Sequence, residues 1–430
     1  MGSLRSKIRG WILEQVVSRP DPKARAKARR FGLNNIRRKP PTLELYFEPG
    51  DPHSHLALQA LGKFADRLHC PIHVRVVPAP EDAAYPEADK QRQFALLDAK
   101  RIAPAWGLKF PAGATLPSPE YKHKASIAFS GHGQDLYKLL TLEADLRDAL
   151  FAGAEWPEHF SAKTDRSRAQ AELDQNALHR KKMGHYLPAM WQFDGEWFWG
   201  LDRFEFLSNR LLNWGALETE SPLLNFDANK ANLETSGGIK TLEFYFSFRS
   251  PYSYVAAEYV LKNHKAWPTK VNVKPVLPMA MRGLPVPLAK RLYIVRDVKR
   301  CATRDGYAFG KIADPIGAGA ERALTVFNLC QNTEQQLKFL AAAGRAAFAE
   351  NIDIATDAGI LHASRQAGLD DSAVLSKLNQ GIDLTLAEQN RQDLIKNGLW
   401  GVPSWKLGDF ITWGYDRRWM LETLFQRHKA

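Results

Sequence analysis

The chain has 430 residues, 45% of them hydrophobic, and a formal net charge of +12. That length suggests two or three domains with a sizeable core, and no apolar run reaches the roughly 20 residues needed to span a bilayer. Three scattered cysteines (Cys70, Cys301, Cys330) with no C-x-x-C pair argue against a disulfide framework or a metal site, and for a reducing, cytoplasmic compartment.

The charge sits at one end. Residues 1–40 hold twelve Lys/Arg and two acids, +10 of the total, so the rest of the chain is nearly neutral and no nucleic acid is expected as partner. No apolar stretch of signal-peptide type follows the early basic residues, so no secretory signal is read. Leu4, Ile8, Trp11 and Ile12 fall near helical spacing and predict a basic amphipathic helix. The tail reads as a solvated helix packing on the body, then a basic linker. Weak contact of residues 1–40 with an anionic membrane surface, or with nucleic acid, is the second reading.

Beyond the tail the chain repeats itself. TLELYFEPGDPHSHLAL (42–58) and TLEFYFSFRSPYSYVAA (241–257) are identical at eight of 17 positions, at an offset of 199. The same offset aligns RQFALLDAKR (92–101) with RLYIVRDVKR (291–300), and Gly107 with Gly306. WGLDRFEFL (199–207) matches WGYDRRWML (413–421) at an offset of 214, which implies a net 15-residue insertion in the second copy. The domains are therefore read as a basic tail (1–40), a degenerate first copy (41–215), a polar linker ending in Ser236-Gly237-Gly238 (216–240) and a second copy (241–430), a pseudo-dimer within one chain. Residues 164–183 read as a solvated helix of the first copy.

In the second copy LEFYF (242–246) is a strand. Ser250-Pro251 opens a helix, with Ser at the N-cap and Pro at its first position. A second strand covers 271–277, and helices cover 288–303 and roughly 321–379. GVPSWKLGDFITW (401–413) is a strand pair turning at Gly408-Asp409, and Asp416 starts a last helix. This order predicts an α/β fold: two tandem thioredoxin-like domains, each a mixed sheet carrying an inserted α-helical subdomain.

Three motifs carry chemistry, each with a plain alternative. Ser250-Pro251-Tyr252-Ser253 stands where thioredoxin-like chains place C-x-x-C. The positive end of a helix stabilises an anion such as a thiolate, and a Ser hydroxyl there donates a hydrogen bond to sulfur brought by a ligand. The plain alternative is simple capping. Val402-Pro403 starts a strand beside that helix, as a thioredoxin cis-proline does, or is an ordinary edge proline. Trp413-Gly414-Tyr415-Asp416-Arg417 offers amides at a helix start that would receive a carboxylate, or is simple capping by Asp416. No metal ligands are read.

Together with Lys290, Tyr293 and Asp297, these motifs occur in an order that resembles 2-hydroxychromene-2-carboxylate isomerases and kappa-class glutathione transferases, members of the DsbA-like thioredoxin superfamily. The resemblance covers nearly all of 241–430. It implies glutathione as cofactor, with Ser250 activating its thiol and Pro251 and Tyr252 lining the same pocket. Val402, before Pro403, would pair its backbone with the cysteinyl part, and Tyr415 and Asp416 would hold the γ-glutamyl carboxylate. Lys290 would face the glycyl carboxylate or substrate. The implied activity is isomerase or transferase action on an aromatic small molecule. The family's T-G-N-x-P segment is replaced by Met281-Arg282-Gly283-Leu284-Pro285, without the Asn, which leaves the substrate open. A non-catalytic binding protein and a DsbA-type disulfide oxidoreductase are the other readings; the absence of C-x-x-C speaks against the latter.

In the first copy Asp51-Pro52-His53-Ser54 replaces SPYS, putting a carboxylate where a thiolate should sit. Leu187-Pro188 and Gly200-Leu201-Asp202-Arg203 persist. The copy reads as structural, or as a different small-molecule site using Asp51, His53 or His55 as acid–base groups.

Overall fold

The computed structural model describes residues 40–80, 85–158, 166–235 and 241–428. The expected tail helix and the Ser236-Gly237-Gly238 end of the linker lie outside them. The described residues form two compact units, one ending at Asn232 and the other beginning at Leu233. Among the described residues no helix is long and apolar enough to cross a membrane.

The first unit runs β1 (Leu43–Phe47), α1 (Pro52–Phe64), β2 (Ile72–Val76), α2 (Ala88–Ile102), α3 (Pro119–Phe129), α4 (Leu136–Phe151), α5 (Arg166–Lys182), β3 (Met190–Phe193), β4 (Glu196–Trp199) and α6 (Phe204–Trp214). Its sheet order is β2-β1-β3-β4, with β1 parallel to β2 and antiparallel to β3. All five residues of β1 are buried, as expected of a strand covered by helices on both faces.

The second unit repeats this plan. It runs β5 (Thr241–Phe246), α7 (Pro251–Asn263), β6 (Lys270–Pro275), α8 (Leu288–Asp305), α9 (Ala318–Phe327), α10 (Thr333–Phe348), α11 (Asp357–Gln366), α12 (Asp371–Asn379), α13 (Thr385–Lys396), β7 (Ser404–Leu407), β8 (Phe410–Trp413) and α14 (Arg418–Arg427). The order β6-β5-β7-β8 and the strand directions match the first sheet. The sheet core centres on Trp405, fully buried and stacked on Phe244 at 4.6 Å between ring centroids. Helix α10 crosses α7 closely: a Cβ on Gly344 would stand 2.6 Å from the Tyr254 ring, so only glycine fits. Each unit is thus the expected mixed sheet with helices inserted between its second and third strands.

Four expectations change. The stretch 216–232 runs over the first unit rather than linking: Ala216, Leu217, Leu223 and Ala231 are buried, Arg67 donates to Leu223 O at 3.0 Å, and the Asp227 amide donates to Ala105 O at 2.9 Å. Polar composition masked those few apolar anchors. Helix α5 is not a wholly solvated helix, because Ala169, Leu173, Asn176 and Arg180 turn one buried stripe inward, and Asn176 donates to Val76 O at 3.0 Å. The last helix starts at Arg418, after a 3-10 turn over Tyr415–Arg417. Pro188 is not the counterpart of Pro403: strand register pairs Tyr46 with Met190 and Tyr245 with Ser404, so Ala189 takes the place of Pro403. Val402-Pro403 carries the one cis peptide bond among the described residues.

Candidate active site

Ser250 caps α7. Its backbone is extended (φ −92°, ψ 114°), and its Oγ accepts the Ser253 amide hydrogen at 3.2 Å. Pro251 fills the first helical position, where no amide hydrogen is needed. The Ser250 hydroxyl faces the Val402 carbonyl at 3.5 Å, too long for a strong bond, so its proton is available to a better acceptor. Ser250 and Val402 are partly exposed, whereas Pro403 is buried. Next to them Arg249 makes a two-pronged ion pair with Asp314, both contacts 2.9 Å, which ties the turn to the connection before α9.

The strand after Pro403 carries the arrangement across the site. The Gly414 amide donates to Pro403 O at 2.9 Å, so the Tyr415–Arg417 turn begins one residue from the cis-proline. Gly401 has no room for a side chain, since a Cβ would stand 2.6 Å from Trp413 Nε1. The structure thus brings Ser250, Val402, Pro403 and the Gly414 turn together.

Helix α8 faces this group with two carboxylates. The Tyr252 hydroxyl donates to Asp297 Oδ2 at 2.6 Å, and Arg300 donates to Asp297 Oδ1 at 2.6 Å. Asp297 is fully buried. One residue before Gly306, Asp305 accepts from the Tyr415 hydroxyl at 2.5 Å, from Arg304 at 2.8 and 3.0 Å, and from Arg418 at 3.2 Å. Burial alone would raise the Asp305 carboxyl, but the bonds from Arg304 and Tyr415 and the nearby cationic charges hold it below the usual carboxylate range. Burial, with the Asp305 carboxylate opposite and against the pull of Arg418, keeps the Tyr415 phenol protonated. The Tyr415 side chain therefore belongs to this cluster, and only its backbone is left to meet a ligand. Asp416 beside it is partly exposed. Lys290 stands two turns upstream of Asp297 on the same helix, half-buried, and burial pushes its amine down to about 8.

No motif in the sequence marks Asp305, Asp314 or Arg418. The first two are acids inside otherwise unremarkable runs, and only the fold brings them to Tyr415 and Arg249.

The first unit holds the same positions with other chemistry. Asp51 caps α1, and its Oδ2 accepts the Ser54 amide at 2.8 Å and the Ser54 hydroxyl at 2.7 Å, so the place of an incoming anion is taken by the chain's own carboxylate. His53 bonds buried Asp98 at 2.8 Å, as Tyr252 bonds Asp297. The Ala189 amide, absent in Pro403, donates to Ser54 Oγ at 3.1 Å. Burial and the adjacent Asp51 push the Glu48 carboxyl up to about 8. His55 is fully buried between Pro49 O, at 2.9 Å, and Glu143, at 3.3 Å, a structural setting.

No cysteine competes for the site. Cys70, Cys301 and Cys330 form no disulfide, and burial raises the Cys70 thiol to about 11 and the Cys330 thiol to about 12. Among the described residues no group of three or more His, Cys, Asp or Glu is placed to hold a metal ion.

Comparison with known proteins gives a family match for this half of the chain. No curated protein matches the sequence. Among solved structures, a 2-hydroxychromene-2-carboxylate isomerase is 24% identical over 44% of this chain and 95% of its own, with a TM-score of 0.39. The cytosolic disulfide reductase DsbM from Pseudomonas aeruginosa is 16% identical over 44% of this chain and 100% of its own, with a TM-score of 0.33. The same reductase solved with GSH aligns at 16% identity over 43% of this chain and 99% of its own, with a TM-score of 0.29. Residues 241–426, the stretch that carries Ser250 and the cis-proline, match the family model of the DSBA-like thioredoxin domain.

Proposed function

We propose that the second unit binds glutathione with its sulfur at Ser250, and acts as a glutathione-dependent isomerase or transferase on an aromatic electrophile. The observation that carries this reading is the Ser250 hydroxyl, held at the N-terminus of α7 and 3.5 Å from the carbonyl that precedes a cis-proline. The hydroxyl and the helix terminus favour the thiolate, which populates it near neutral pH. The thiolate sulfur then bonds to the carbon conjugated with the substrate's carbonyl, and the π electrons move to oxygen. In an isomerase, rotation about the resulting single bond precedes C–S cleavage and return of the thiolate. The domain's own sulfur is unsuited to this step, since Cys330 is held as a thiol and Cys301 is fully buried. With serines at 250 and 253 it also lacks the cysteine pair of a disulfide oxidoreductase.

Isothermal titration of the full chain with glutathione tests the reading. One site per chain is expected, because Asp51 occupies the corresponding place in the first unit. Absence of binding sinks the catalytic proposal and leaves a thioredoxin-like binding protein.

Lys290 adds a pH dependence. Its ammonium would meet a ligand carboxylate, and it loses its proton as pH rises through about 8. Glutathione affinity is expected to fall over that range in the wild type. Lys290→Arg, which stays charged, is expected to remove that limb. Identical pH profiles for the two proteins would take Lys290 out of the site. The linked stability has its own sign: the amine's folded value lies below the ordinary 10.5, so its charged form costs stability at neutral pH, and that cost fades as pH rises above about 8.

A further inference from the structure

The two units differ at three linked positions in a way that folding does not require. Under the offsets of the repeat, Asp305, Tyr415 and Arg418 correspond to Trp106, Leu201 and Phe204. In the second unit they form the hydrogen-bonded cluster around Asp305, with the Arg418 guanidinium 4.4 Å from the centre of the Tyr415 ring. In the first unit the same places are apolar. Trp106 packs edge-on to Phe204 at 5.8 Å between centroids, and Leu201 is buried.

The other α8 carboxylate behaves differently. Asp297 on Tyr252 recurs as Asp98 on His53, at 2.6 and 2.8 Å. One tie is common to both units, whereas the other occurs only beside the helix that begins with Ser250. Replacing a buried charged cluster with apolar side chains is often neutral or stabilising. The first unit has made that exchange and kept its β3–β4 hairpin and final helix. Holding the fold therefore does not account for the charged version. What the cluster adds is orientation. It fixes the Tyr415 ring and hydroxyl at a turn that follows Gly414, whose backbone is already tied by its amide to Pro403 O at 2.9 Å and by its carbonyl to Trp405 Nε1 at 3.3 Å.

We propose that Asp305 is a positioning residue: through Tyr415 and Arg418 it holds the Gly414–Arg417 turn as the receiver of an α-amino-carboxylate group, the γ-glutamyl end of glutathione. This rests on the glutathione reading above. It makes Asp305 a determinant of selectivity for glutathione over thiols that lack that group.

The test measures binding of glutathione and of cysteinylglycine, which lacks the γ-glutamyl group, to the full chain by isothermal titration. For Asp305→Asn the Kd for glutathione is expected to rise about tenfold, as for loss of one charge-assisted bond, with the Kd for cysteinylglycine unchanged. Tyr415→Phe keeps the ring, removes only the hydroxyl bond, and is expected to move selectivity the same way even where Asp305→Asn folds poorly. Equal weakening of both thiols, or no change in either, overturns the proposal while the glutathione site stands. A wild-type chain that binds no glutathione overturns both.

Discussion

Ser250→Ala is expected to fold normally and to lower kcat/KM with glutathione by about 100-fold or more. That is the scale observed when a single positioned donor to a developing anion is removed. Alanine is a poor N-cap, so about 1 kcal/mol of stability should go with it, too little to unfold a domain of this size. The diagnostic measurement is the pH dependence of thiolate absorbance for bound glutathione. The variant should need a higher pH to reach the same thiolate fraction, because the helix terminus remains but the hydroxyl does not. Equal turnover and an unshifted thiolate titration would remove Ser250 from the mechanism.

The largest effect on stability is expected from Asp297→Ala. It removes the buried carboxylate to which the Tyr252 hydroxyl and Arg300 both donate, and breaking a buried pair from one side costs about 3–5 kcal/mol. Asp98→Ala in the first unit should cost less, because the remaining partner, His53, is able to stay neutral. Urea unfolding of the full chain checks the order. A loss below about 1 kcal/mol for Asp297→Ala would show that water or relaxation replaces the bond.

Much of this architecture was legible because the repeat supplied two views of one plan. The strand before each helix start is rich in aromatic and aliphatic residues, and Ser250-Pro251 is a strong helix opening, so β5, α7 and the closing hairpin could be placed from pattern alone. The helices within the stretch read as helical over roughly 321–379 could not be separated, and Thr385–Lys396 lay beyond it. Ala-rich amphipathic sequence reads alike throughout, and the breaks depend on single caps such as Asn332, Thr356 and Asp370. Pro188 misled because a proline stands near the same place in both units, while register is set by strand pairing that no local motif encodes. Leu217 and Leu223 were hidden in polar surroundings. At the site, the residues at the start of α7 and in the cis-proline turn were visible as motifs. Of their supports on α8, Asp297 was visible only as part of the Lys290–Tyr293–Asp297 spacing and Asp305 not at all, since a carboxylate on a helix declares no partner until the fold supplies one.

The burial of the cysteines bears on how such a protein ages. A reactive sulfur is the atom most exposed to peroxide, and its higher oxides are irreversible on a polypeptide. Here burial holds the Cys70 and Cys330 thiols protonated, whereas under the glutathione proposal the nucleophile would arrive with a diffusible tripeptide. Under that proposal oxidative damage would spoil a molecule that can be exchanged, and leave the folded scaffold ready for the next one.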